Sequence, residues 1–150
     1  MLFKVSVVLV LMALSAPSQV RAADPYTIFV RTQCNGDSVG ERIGYKVREG
    51  IRKSTSMTTV ESISDSIVQM SIVCIDPDPD QAGSVSRYSY AITTTNTDGH
   101  YDFLITHGVG SCGTRRVDEC SEGLVADIDS AISDALRRIK DGTFKYKPKK

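Results

Sequence analysis

The chain has 150 residues, of which 41% are hydrophobic and 24% are charged, with 11 glycines, 5 prolines and no tryptophan. This composition is ordinary for a globular domain and excludes collagen-like, coiled-coil and disordered chains. The 18 basic side chains equal the 18 acidic ones in number. The chain therefore lacks the global positive charge that general nucleic-acid binding requires, and we expect no nucleic-acid partner.

The first 22 residues have the three regions of a secretory signal peptide. Lys4 supplies a positive charge, Val5–Leu14 is an apolar run, and Val20–Ala22 offers compact residues for cleavage near Ala22. A membrane-spanning helix needs about 20 apolar residues, roughly twice the length of this run. We therefore expect a periplasmic or secreted protein without a membrane span.

The first half of the remaining chain predicts a strand followed by a helix. Tyr26–Thr32 is rich in β-branched and aromatic residues, which favour a strand. Ser38 with Glu41 three residues later matches a capping box and predicts a helix start. Gly40 and Gly44 stand beside the apolar stripe of this helix and indicate a close approach to a sheet. The stripe itself recurs every four residues, at Val39, Ile43, Val47 and Ile51.

The second half predicts three more strands and a second helix. Ile67–Ile75, Val85–Thr95 and Tyr101–His107 have strand composition, and the sequence between them favours turns. Gly108–Cys120 is interpreted as a glycine-rich loop. The apolar residues of Leu124–Ile139 recur at helical spacing, and Asp141-Gly142 ends that helix.

This order of elements, β-α-β-β-β-α, predicts a single α+β domain over residues 23–142. A helical crossover makes the first two strands parallel, and meander strands are antiparallel. We therefore expect a two-layer sandwich with a mixed, mostly antiparallel four-stranded sheet and two helices on one face. The order resembles that of the N-terminal domain of TolB-type proteins and, more loosely, of double-stranded-RNA-binding domains. Such likeness of fold does not give function.

The four cysteines are expected to form two disulfides, because an exported protein folds in an oxidising compartment. Four cysteines allow three pairings. The predicted topology places Cys34, Cys74 and Cys112 at strand ends on one edge of the sheet. It thereby favours Cys34–Cys74, and leaves Cys112 to pair with Cys120.

The segment between Cys112 and Cys120 is the leading candidate for a binding site. A short disulfide ring orders its residues in advance, and ordered loops that carry arginine suit protein recognition. The alternative is a plain stapled connection between strand and helix. The candidate binding residues of the ring are Arg115, Arg116, Asp118 and Glu119.

The charge of the chain is unevenly distributed. Residues 23–139 carry 11 basic and 17 acidic side chains, a net charge of −6. Residues 143–150 are predicted to be a flexible basic tail, which offers a weak contact with anionic surfaces. Its lysines are Lys145, Lys147, Lys149 and Lys150.

Two further patterns match known sites only in part. Gly108–Gly113 fits G-x-G-x-x-G, but no helix opens directly after it, as a dinucleotide site requires. Asp76, Asp78 and Asp80 alternate as in a calcium loop, but the glycine and glutamate of that loop are missing. We therefore expect neither a cofactor nor a metal, and interpret the aspartates as part of a hairpin loop.

The remaining chemistry rests on two histidines. His100 and Asp102 share one face of a regular strand and would form part of a hydrolytic site. His107 would pair with Cys112 only if that thiol stayed reduced. Because no catalytic set is complete, the sequence favours an exported non-catalytic binding, accessory or inhibitor-like protein. A small exported hydrolase and a structural envelope-assembly module are the alternatives.

Overall fold

The computed structural model describes residues 24–78, 80, 83–95 and 101–141. The predicted signal peptide and the predicted basic tail lie outside these ranges. His100 and the side chain of Asp102 also lie outside them, so the hydrolase alternative stays a prediction.

The described residues form a five-stranded sheet and two long helices. A single 3₁₀ turn precedes β3 at Ile63–Asp65, and another precedes α2 at Thr114–Arg116. The strands are β1 Tyr26–Gln33, β2 Met57–Thr59, β3 Val68–Ile75, β4 Val85–Thr95 and β5 Tyr101–Gly113, and the helices are α1 Ser38–Lys53 and α2 Val117–Lys140.

The strand order across the sheet is β2-β1-β3-β4-β5. β1 is parallel to both β2 and β3, whereas β3, β4 and β5 form an antiparallel meander. The α+β class with a mixed sheet and two helices is therefore confirmed, and the expected number of four strands is wrong. The additional strand is β2, whose three residues pair opposite Tyr26–Ile28. A strand this short carries no periodic pattern from which it is predicted.

The expected glycine-rich loop after His107 is also wrong, because β5 continues to Gly113. Gly108 lies opposite Tyr90, and Gly110 lies opposite Tyr88. A Cβ atom at Gly108 would come within 2.7 Å of the Tyr90 ring, and Gly110 has the same relationship to Tyr88. The two glycines thus leave room for the tyrosine rings of β4, which lie over the backbone of β5. Glycines in strands are often covered by an aromatic side chain of the neighbouring strand in this way.

Helix α1 begins one residue earlier than the capping box predicted. Its N-cap is Asp37, and Oδ1 of this residue accepts a hydrogen bond from the amide of Gly40 at 2.8 Å. Ser38 is already the first helical residue. Aspartate is as favourable an N-cap as serine, so the sequence signal was ambiguous by one position.

Two glycines bring α1 close to the sheet, as their position beside the stripe indicated. A Cβ atom at Gly40 would lie 2.5 Å from Cβ of Cys74 in β3. A Cβ atom at Gly44 would lie 2.7 Å from Cγ2 of Thr32 in β1. Any side chain larger than hydrogen would therefore push the helix away from the two central strands.

The core lies between the two helices and one face of the sheet. Residues 28, 30 and 32 of β1 point to this face, and the helices contribute their apolar stripes. The largest fully buried side chains are Ile28, Ile43, Ile51, Met57, Met70, Ile72, Ile92, Ile128 and Ile132. The opposite face has no helix among the described residues and exposes Val73, Ile75 and Val109.

Candidate functional site

Both disulfides of the structure follow the pairing that the topology favoured. Cys34, directly after β1, is bonded to Cys74 in β3, with 4.5 Å between their Cα atoms. Cys112, near the end of β5, is bonded to Cys120 in the first turn of α2. All four cysteines are paired, so no free thiol is present at Cys112 to act with His107.

The ring closed by Cys112 and Cys120 is regular structure rather than a loop. It contains the end of β5, a 3₁₀ turn and the first turn of α2. Within it, Arg116 donates two hydrogen bonds to Glu119, at 2.8 and 2.6 Å. The hydrogen bonds and the positive charge of Arg116 hold the pKa of Glu119 below its ordinary value. These two predicted binding residues are thus already partners of each other.

The ring is also attached to α1. Nζ of Lys46 lies 3.1 Å from Oδ1 of Asp118, and this hydrogen bond and charge raise the pKa of Lys46. Arg42 donates a hydrogen bond of 3.0 Å to Oγ1 of Thr114. Within the described part of the chain, the guanidinium of Arg115 has no such partner, and Arg115 is exposed. The ring therefore fixes the helices together and leaves Arg115 as its available cation.

Beside the ring lies a groove between α1 and α2, which we call the helix groove. Its volume is about 440 Å³, a size typical of ligand sites. Val125 and Ala126 supply its accessible apolar surface. Charged side chains also line it, namely Lys46, Glu49, Lys53, Asp118, Glu122 and Asp129. The groove depends on how two helices cross, which the sequence pattern does not show.

Contacts at several points fix the walls of the helix groove. The ion pair between Lys46 and Asp118 joins the walls at one point. Elsewhere, the hydroxyl of Ser56 donates a hydrogen bond of 2.5 Å to Oδ1 of Asp129. The helices also approach closely at Gly50, where a Cβ atom would lie 2.7 Å from Cγ2 of Val125. The groove is therefore a preformed concave surface.

The charges of the helix groove are unequal, with two lysines and four carboxylates. Lys46 is engaged by Asp118 and lies 3.7 Å from Glu49. Glu122 is exposed and has no hydrogen-bond or ion partner among the described residues. The net negative charge favours a cationic group in the groove.

The other sequence candidates do not join this site. The carboxylate of Asp76 accepts hydrogen bonds from the amides of Asp78 and Gly83, at 3.0 and 2.9 Å, and so orders the hairpin turn. His107 is exposed opposite Ala91, on the sheet face away from the helices. The described residues contain no group of three or more side chains placed to hold a metal ion. None of the described helices is long and apolar enough to cross a membrane.

Comparison with known proteins assigns no family. No family model and no curated protein matches the chain. Among solved structures, the PelC dodecamer from Paraburkholderia phytofirmans is 12% identical, with a TM-score of 0.42 over 73% of this chain and 89% of that one. The hypothetical protein CT253 from Chlamydia trachomatis is 5% identical, with a TM-score of 0.39 over 78% and 96% of the two chains. The uncharacterized lipoprotein B from Nitrosomonas europaea is 12% identical, with a TM-score of 0.32 over 79% and 85%.

Proposed function

We propose that this protein is an exported, non-catalytic binding domain that holds a segment of another envelope or extracellular protein in the helix groove. The observation that supports this most is the groove itself. It is concave, its walls are joined by the Lys46–Asp118 and Ser56–Asp129 contacts, and it lies beside a ring closed by a disulfide. A site that is already ordered loses little conformational entropy when a partner binds.

Export is supported by the disulfides. Such bonds persist in oxidising compartments and are rare in the cytosol. Cys34, Cys74 and Cys112 are buried, which keeps these bonds away from solvent. The signal peptide and the contact of the basic tail with anionic surfaces remain predictions.

The lining of the groove defines the chemistry of the partner. Val125 and Ala126 favour apolar side chains of the bound segment. Glu122 and Asp129 favour a lysine or arginine next to those apolar residues. Arg115, on the adjoining ring, offers a contact for an acidic group of the same partner. The ring is therefore part of the proposed interface, and most of the contact lies in the helix groove.

A selection from a displayed library of random peptides tests the proposal. Peptides that bind the full chain are expected to combine apolar residues with at least one basic residue. We expect Glu122→Lys to weaken these peptides at least tenfold, because it reverses the charge that attracts them, and Arg115→Ala to weaken them less. Asp65→Lys, an exposed change in the 3₁₀ turn before β3, is the matched control and should leave binding unchanged. The proposal would be overturned if the selected peptides bound the Glu122→Lys variant as tightly as they bind the parent protein.

A further inference from the structure

The edge strand β2 covers only part of its neighbour, β1. β2 ends at Thr59, which lies opposite Ile28, whereas β1 continues to Gln33. On this side, residues 29–33 of β1 have no strand neighbour among the described residues. The edge of β1 is therefore open over its C-terminal half.

The register shows which backbone groups face the open edge. The amide of Tyr26 donates to the carbonyl of Ser56, and the amide of Val60 donates to the carbonyl of Ile28. In a parallel strand alternate residues direct both backbone groups to the same side. The N–H and C=O groups of Val30 and Thr32 consequently face the open edge, where unpaired groups are a template for another strand.

A side chain occupies part of this edge. Nη2 of Arg48 lies 3.3 Å from the carbonyl oxygen of Val30 and 3.0 Å from Oγ1 of Thr32. The carbonyl is thus bound by a side chain from α1 rather than by a strand. An incoming strand would replace the contact and release the guanidinium for a carboxylate.

A cleft of about 400 Å³ lies along the same edge. Three arginines line it, Arg31, Arg48 and Arg52, together with a single carboxylate, Glu61. Arg31 and Arg52 are exposed and have no ion partner among the described residues. The cleft therefore has a net charge of +2, opposite in sign to that of the helix groove.

At this edge, the arginines lie on both faces of the sheet. Arg31 alternates with the core residue Val30, so its side chain is on the sheet face away from the helices. Arg48 and Arg52 belong to α1, on the helix face. Successive side chains of an added strand also point to opposite faces, so acidic residues at adjacent positions would each meet an arginine.

We propose that this cleft binds an extended, acidic peptide segment, which adds to the sheet beside β1 and in line with β2. Its backbone pairs with Val30 and Thr32, and its carboxylates bind Arg31 and Arg52 as charge-assisted pairs. The site is separate from the helix groove and does not depend on the function proposed for that groove.

The probe for the test is an acetylated and amidated octapeptide that repeats Glu-Glu-Val-Val, which puts carboxylates on both faces of a strand. Titration into the full chain should shift the NMR signals of the Val30 and Thr32 amides and slow hydrogen exchange at Thr32. The same peptide with two adjacent central residues N-methylated cannot pair in either register, and should lose at least tenfold in affinity. A Lys-Lys-Val-Val repeat should not bind.

Variants separate this site from non-specific charge effects. Arg52→Glu should weaken the acidic peptide at least tenfold, whereas Arg87→Glu, at an exposed arginine of β4, should leave its affinity unchanged. Equal binding of the N-methylated peptide would show an anion site without strand pairing and would overturn the proposal. The absence of any shift at Val30 and Thr32, or equal loss in both variants, would also overturn it.

Discussion

Lys46 and Asp118 join the middle of α1 to the first turn of α2, with 3.1 Å between Nζ and Oδ1. This ion pair connects the disulfide ring to the wall of the helix groove, since both residues line the groove. Both side chains are substantially exposed, so the pair acts mainly by fixing geometry rather than by adding much stability.

The pair makes stability depend on alkaline pH. The pKa of Lys46 is raised from 10.5, first because of the hydrogen bond to Asp118 and then because of the charge of Asp118. A raised pKa in the folded state stabilises the protein below the unfolded pKa, and this stabilisation is lost as the pH rises through the folded pKa. We expect the unfolding free energies of the parent and of Asp118→Asn to converge partly above pH 10.5.

Chemical unfolding across that pH range checks the prediction. The pKa values of Tyr88 and Tyr90 are also raised, chiefly by burial, and their stabilisation is lost in the same direction. Both proteins share this loss, so the difference between them isolates Lys46. A difference that grows with pH would contradict the assignment.

The two disulfides should contribute unequally. Their cysteines are 40 and 8 residues apart in sequence. The chain-entropy model gives about 4 kcal/mol for the longer loop and about 2.5 kcal/mol for the ring. We expect the double change Cys34→Ala with Cys74→Ala to lower the unfolding free energy more than Cys112→Ala with Cys120→Ala, as measured by denaturant titration. The reverse order would mean that the ring stabilises the fold by more than the chain-entropy model gives for a loop of its length.

Two glycines in helices should respond oppositely to alanine. A Cβ atom at Gly40 would lie 2.5 Å from Cβ of Cys74, so Gly40→Ala forces α1 away from β3 and should cost about 1–3 kcal/mol. Gly123 in α2 has nothing within 4 Å of such an atom. Gly123→Ala should therefore stabilise the protein by about 0.5–1 kcal/mol through helix propensity. Thermal unfolding of both variants measures these shifts, and a neutral Gly40→Ala would disprove the close approach.

The N-cap of α1 is testable by two substitutions. Oδ1 of Asp37 accepts the amide of Gly40, whereas Oδ2 is buried without a partner among the described residues. Asp37→Ala removes the cap and should cost about 1 kcal/mol. Asp37→Ser keeps one acceptor and removes the unpartnered oxygen, so it should retain most of the stability in the same unfolding assay. Equal losses in both variants would contradict the capping role.

The sequence predicted those parts of the fold that depend on local pattern. The stripe at Val39, Ile43, Val47 and Ile51 predicted α1, and all four residues are buried. Strand alternation predicted the bounds of β4 as observed, and those of β3 with an error of one residue at its start. The continuation of β5 was missed, because Gly108 and Gly110 look like loop residues until Tyr88 and Tyr90 are placed opposite them.

The candidate sites were predictable only in part. The topology brought Cys112 and Cys120 together, and their ring holds the predicted binding residues. The pairs that engage those residues join distant parts of the chain, as Lys46 does with Asp118, and sequence spacing does not show them. Likewise, the helix groove is lined by Gly50 and Val125, which lie on different helices and whose close approach is not visible in the sequence.

The most direct test of the proposed function is photocrosslinking from the helix groove in the organism that makes the protein. A photoreactive residue in place of Ala126, which lines the groove, should give one discrete adduct. The crosslinked partner segment should carry a lysine or arginine beside apolar residues, and Glu122→Lys should abolish the adduct. The same photoreactive residue at Ser89, exposed on the opposite sheet face, should give none. No adduct from Ala126, or equal adducts from both positions, would contradict a binding role for the groove.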